Sequence, residues 1–271
     1  MSTDLWAETS GDPALPLAVL VHGTMDRSAG MLRLSRRLDE RFHVLRYDRR
    51  GYGRSRDVGG KNTVEQHVTD LAGVLQMHTP GRVVDLAFGH SFGGNVVLAT
   101  AERHPELIRQ AAIYETPLSW LDWWPGGTAG GAAAGATDPG EAAETFMRRL
   151  IGDQRWEQLP SGTRADRRAE GAAMVEEIND LRRCAPWAVE AVSIPLLAMG
   201  GELGRPHHQR GMQWLSEQIP SADYVRLDGA GHGAPNTHPA ELAMLVTNFC
   251  ASWLCDTDEE VPVKRSKRSP K

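Results

Sequence analysis

The chain has 271 residues, enough for one large α/β domain with a sizeable core or for two small ones. Its 41% hydrophobic and 24% charged residues are those of an ordinary globular protein, and a net charge of −5 gives no electrostatic reason to expect nucleic acid or an anionic membrane as partner. No apolar run approaches a membrane span, residues 1–10 are too polar for a signal peptide, and Cys184, Cys250 and Cys255 are odd in number without metal-ligand spacing, so a reduced, cytoplasmic setting is expected.

In chain order, Leu17–Val21 is a short apolar run that reads as a buried parallel strand ending at His22-Gly23. Residues 31–38 have helical spacing and 42–47 return as a strand. The glycine-punctuated segment 48–55 is a loop, with Asp48, Arg49 and Arg54 expected to brace its turns. Residues 63–76 place Val64, Val68, Leu71, Val74 and Leu75 at three- and four-residue steps, the mark of an amphipathic helix. A strand over 83–88 and a helix from Asn95 flank the segment Gly89-His90-Ser91-Phe92-Gly93-Gly94, and 108–114 is the next strand.

Residues 118–187 then show no strand pattern. Helices are expected over 141–151 and 163–183, and five of the eight tryptophans (120, 123, 124, 156 and 187) fall in this stretch. It reads as a helical lid inserted between two core strands. Strands over 194–199 and 222–227 and a helix over 239–254 complete a core made of 1–117 and 188–255, and the charged tail 256–271 is expected to solvate rather than fold. Strand–helix alternation of this kind builds a mostly parallel sheet flanked by helices, with ligands at the carboxyl ends of its strands.

A Gly-x-Ser-x-Gly turn between strand and helix is the context of a nucleophile elbow. Small neighbours let the Ser91 side chain stand on a strained turn, and the backbone N–H of Phe92 opens a helix N-terminus where it can stabilise an oxyanion. No dinucleotide fingerprint, P-loop or metal spacing is present, so no cofactor and no metal are expected.

His22-Gly23, the segment 48–55, Gly-His-Ser91-Phe-Gly-Gly and Gly229-Ala-Gly-His232 together resemble the α/β-hydrolase fold family over residues 15–254. The resemblance implies Ser91 as nucleophile, His232 as its base, and the N–H groups of Thr24 and Phe92 as the oxyanion hole. His207, His208 and His238 are placed in loops. The orienting acid departs from the common pattern, because Gly204 occupies the position where most members carry aspartate. Glu115, ending the strand after the elbow helix, is preferred, as in some haloalkane dehalogenases and resorcylic lactone hydrolases; Glu202 is the runner-up.

The expected activity is hydrolysis of a carboxylic ester, lactone or thioester through an acyl-enzyme. The small-molecule substrate would have an apolar or aromatic body, with Trp120, Trp123, Trp124 and Trp156 as candidates to line its pocket. Acyl transfer, lyase chemistry or carbon–carbon hydrolysis on the same residues are the alternatives, followed by a catalytically silent binding module. The sequence leaves the oligomeric state open.

Overall fold

The computed structural model describes residues 4–134 and 137–256, so residues 257–271 of the expected tail lie outside the described residues. The chain runs β1 (Ala7–Ser10), β2 (Leu17–Val21), α1 (Leu32–Leu38), β3 (His43–Tyr47), α2 (Val64–His78), β4 (Leu86–His90), α3 (Phe92–Arg103) and β5 (Ala111–Tyr114). Five helices follow: α4 (Ala129–Ala133), α5 (Pro139–Ile151), α6 (Asp153–Gln158), α7 (Ser161–Ala169) and α8 (Gly171–Arg183). The chain closes with β6 (Leu196–Gly201), α9 (Pro206–Gln218), β7 (Ala222–Leu227), α10 (Ala234–Thr237) and α11 (Pro239–Asp256).

The strands form one sheet in the order β1-β3-β2-β4-β5-β6-β7, parallel except for β1 at the edge. Alternating strand residues face opposite ways, so one strand feeds two cores. Leu17, Val19 and Val21 of β2 belong to one core cluster with Val68 of α2, Val96 of α3 and Met212 of α9. Ala18 and Leu20 of the same strand meet Leu34 of α1 and Val246 of α11 on the other face. Burial on both sides explains why the central strands read as continuous apolar runs rather than alternating ones.

Several features differ from the sequence expectations. β1 is an added antiparallel strand, too short and polar (Ala-Glu-Thr-Ser) to signal itself. The expected strand over 108–114 is shorter, with Ile108 joined only by an isolated bridge to Val84. The single helix expected over 163–183 is two helices that meet at Glu170. Gly171 packs so closely there that a Cβ would overlap the Pro139 carbonyl, and the break aims the Glu170 carboxylate at Arg27 (3.1 Å), Arg167 (2.8 Å) and the Gly53 N–H (3.0 Å).

Candidate active site

Among the described residues, only Met25, Ser91 and Glu115 are non-glycine residues in the left-handed region, with φ of 58°, 52° and 47°. They follow β2, β4 and β5, so all three lie at the carboxyl edge of the sheet. Such backbone costs on the order of 1–3 kcal/mol per residue and persists where surrounding structure over-determines it. At Ser91 the causes are visible. Its N–H donates to the Tyr114 carbonyl (2.8 Å), its carbonyl accepts from the Gly94 N–H (2.9 Å), and a Cβ at Gly93 would overlap the Val21 carbonyl. Strand β2 therefore presses directly on the turn, and the Phe92 N–H begins α3.

Glu115 is fully buried, and both of its carboxylate oxygens have donors. Oε1 accepts the Gly201 N–H at 3.1 Å, and Oε2 accepts Nδ1–H of His232 at 2.6 Å. Fixing the proton on Nδ1 leaves Nε2 of His232 as the basic nitrogen. The glycine at position 204 has a structural meaning: a Cβ there would overlap Glu115 Oε1. The space where most relatives' aspartate is expected is filled from the neighbouring strand. Glu202, the runner-up, points elsewhere, accepting the Gly229 N–H at 2.9 Å.

His232 is held through its neighbours. His90, the residue before Ser91, donates Nε2–H to the His232 carbonyl (2.8 Å), and the two rings lie 4.8 Å apart. Burial, reinforced by nearby His232, pushes His90 down to about 3, so it stays neutral. The His232 backbone is thus tied to the residue adjoining Ser91. Among the described residues, Ser91 Oγ and His232 Nε2 are not directly hydrogen-bonded.

Thr24 follows Gly23, whose Cβ would lie 2.9 Å from Ser91 Cβ and 3.5 Å from its Oγ, so the 22–24 backbone abuts the serine. The Thr24 hydroxyl donates to Glu177 Oε2 of α8 (2.8 Å), which commits its proton away from any oxyanion. Arg49 does more than brace its own loop. Its side chain ion-pairs with Glu177, both fully buried, and its Nε donates to the His22 carbonyl (2.9 Å). Asp48 does brace turns, accepting the N–H groups of Ser28 and Arg54.

His207 and His208 are not in a loop. They occupy the first turn of α9, where Trp124 packs on both rings at 4.8 and 5.3 Å and His208 lies 5.1 Å from His232. Burial and the neighbouring His232 hold His208 well below the usual imidazole range. No spacing signal marks this pair, which meets His232 only through the crossing of α9 over β6 and β7. Glu115, His208 and His232 offer ligand atoms within 4.8 Å of one another, close enough to hold a metal ion, although the 2.6 Å hydrogen bond already accounts for two of the three. His238 ends α10, its Nδ1 2.9 Å from the Thr237 hydroxyl.

The tryptophans divide. Trp124 reaches the imidazole row beside His232. Trp120 stacks edge-on against Trp187, and Trp123 lies under the Arg210 guanidinium at 4.2 Å. Trp156, 1% exposed, fills a separate cluster with Met147 and Met174 inside the inserted helices, which also takes in Met25 and Tyr52. Two surface grooves run along α8, one of 540 Å³ against residues 61–63 and Pro139 and one of 440 Å³ against α2, and neither includes Ser91, Glu115 or His232.

A curated relative, the 2-(acetamidomethylene)succinate hydrolase of Mesorhizobium japonicum, is 25% identical over 86% of this chain and 87% of its own. The pimeloyl-[acyl-carrier protein] methyl ester esterase of Aromatoleum aromaticum is 25% identical over 58% of this chain and 70% of its own. The solved structure of an alpha/beta hydrolase from Sphaerobacter thermophilus matches with TM-score 0.70 and 26% identity, covering 90% of this chain and 95% of that one. The profile of the alpha/beta hydrolase family itself matches residues 18–245, from β2 into α11, and the sheet order and sharp turn at Ser91 agree with it: the chain belongs to the alpha/beta hydrolase family.

Proposed function

We propose that this chain is a serine hydrolase that cleaves a carboxylic ester, lactone or thioester with an apolar or aromatic body. The observation that carries the reading is the 2.6 Å hydrogen bond from His232 Nδ1 to the buried Glu115 carboxylate, in a pair linked through His90 to the adjoining Ser91, which is held at φ 52°. Ser91 Oγ attacks the carbonyl carbon while His232 Nε2 takes its proton, and Glu115 keeps the imidazole in the productive tautomer and balances the imidazolium. The oxyanion is received by the N–H groups of Thr24 and Phe92. His232 returns the proton to the departing alcohol or thiol. It then activates water, which attacks the acyl carbon and releases the carboxylic acid and Ser91.

Two further observations support an apolar substrate. Phe92 and Trp124 belong to one buried cluster, against which Trp120 and Trp123 pack. Helices α4–α8 would act as the lid over that side. The hydrolase and esterase activities named for the two curated relatives support hydrolysis as the class. The test is a panel of chromogenic esters, lactones and thioesters of graded chain length, run on wild type, Ser91→Ala and His232→Asn. We expect wild-type turnover on apolar acyl groups and a loss of about a thousandfold or more in each variant. Equal turnover by Ser91→Ala and wild type would overturn the reading.

A further inference from the structure

One fully buried ion pair, Arg49–Glu177, joins a core loop to α8 of the inserted helices beside the reactive serine. Its contacts fall on both halves of the proposed oxyanion hole. On the side of residues 22–24, Arg49 Nε donates to the His22 carbonyl (2.9 Å), the Arg49 N–H donates to His22 Nε2 (2.9 Å), and Glu177 Oε2 accepts the Thr24 hydroxyl (2.8 Å). His22 Nδ1 in turn donates to the Gly23 carbonyl at 2.8 Å. On the other side, the Arg49 guanidinium lies 4.9 Å from the centre of the Phe92 ring. Tyr52 (2.8 Å) and His67 (2.9 Å) complete the set around Glu177. Burial alone would raise the Glu177 carboxyl, but Arg49 and then His67 outweigh it and hold it lowered to about 2, so the group stays ionised.

We propose that Glu177 is a positioning residue for the oxyanion hole: by clamping Thr24 and Arg49, the docked helix α8 sets the direction of the Thr24 N–H. The inference rests on the hydrolase reading and deepens it. Glu177 touches no reacting atom. Its carboxylate links the lid to the donor, so hole geometry depends on α8 being seated. The seat has other fastenings along the same helix. Glu170, two turns before Glu177, holds Arg27, and Asp180 accepts the Val64 N–H at 2.9 Å. Loss of the Thr24 hydroxyl alone would therefore leave α8 docked but Thr24 free to turn.

Thr24→Val carries the test, because Glu177→Gln leaves the buried Arg49 without its counter-charge and can unfold the chain. Thr24→Val keeps shape, backbone N–H and the Arg49–Glu177 pair. We expect kcat on the best ester to fall about ten- to hundredfold with KM within about twofold, the pattern of a donor misplaced for the transition state. Thr24→Ser, which restores the hydroxyl, should recover most of that loss. Where Glu177→Gln folds, its effect and that of Thr24→Val should not multiply in the double variant. Wild-type kcat in Thr24→Val, a change in KM alone, or no recovery in Thr24→Ser would overturn the proposal. Phosphonylation of wild-type Ser91 by a fluorophosphonate separates the two claims: if it occurs while Thr24→Val stays fully active, only the positioning role fails, and if it never occurs, both fail.

Discussion

Acidification should destabilise this chain steeply and well above the carboxylate range. His22, His67, His90 and His208 are all held below the ordinary imidazole value of 6.5, in each case first by burial and then by a neighbouring cation or imidazole. Each is harder to protonate in the folded chain than in the unfolded one. Its contribution is therefore present in full above pH 6.5 and is lost as pH falls from 6.5 toward the folded value. His90, held at about 3, shifts the balance by about 1.4 kcal/mol between pH 7.5 and 5.5, and the other lowered imidazoles act in the same direction. Asp26 opposes the trend, since burial raises its carboxyl, but His207 is also lowered by burial and adds to it. Urea unfolding at pH 7.5, 6.5 and 5.5 checks this, with proton uptake on unfolding followed in weak buffer. Stability constant to within about 1 kcal/mol across that range would refute the burial of neutral imidazoles around the site.

Glu115→Gln should lower kcat by about a thousandfold or more with folding retained, whereas Glu202→Gln should stay within a few-fold of wild type; the ester assay with thermal melts checks both. Gly204→Ala should cut turnover at least about tenfold, because its Cβ would overlap Glu115 Oε1, and Glu115→Gly/Gly204→Asp should regain turnover relative to Glu115→Gly alone. Trp156→Ala should cost about 3–5 kcal/mol of stability with KM unchanged, as expected for a buried core aromatic. Trp124→Ala should instead raise KM, since that ring packs beside the imidazoles near His232.

The central strands were legible because burial on both faces makes them short uninterrupted apolar runs, as in Leu17–Val21. The sharp turn at Ser91 was legible because glycine at 89 and 93 is demanded by contact with backbone. Glu115 could be singled out by its place at a strand end and by the missing aspartate at 204. What the sequence could not carry was three-dimensional closure. Nothing local marks Glu170 as a helix break, because the break is set by close contact with Pro139 and by a distant Arg27. Nothing in Pro206-His207-His208 announces a helix start beside His232, which only the packing of α9 supplies. Nor does anything near Thr24 announce the partner of its hydroxyl, since Glu177 lies 153 residues away.

The central claim is that Ser91 is an activated nucleophile. Its most direct test is incubation of the folded protein with a fluorophosphonate, followed by digestion and mass analysis. The account predicts one adduct, on the peptide bearing Ser91, formed far more slowly in His232→Asn and not at all in Ser91→Ala. Full-rate labelling in His232→Asn, or an adduct on another residue with Ser91 unmodified, would contradict it.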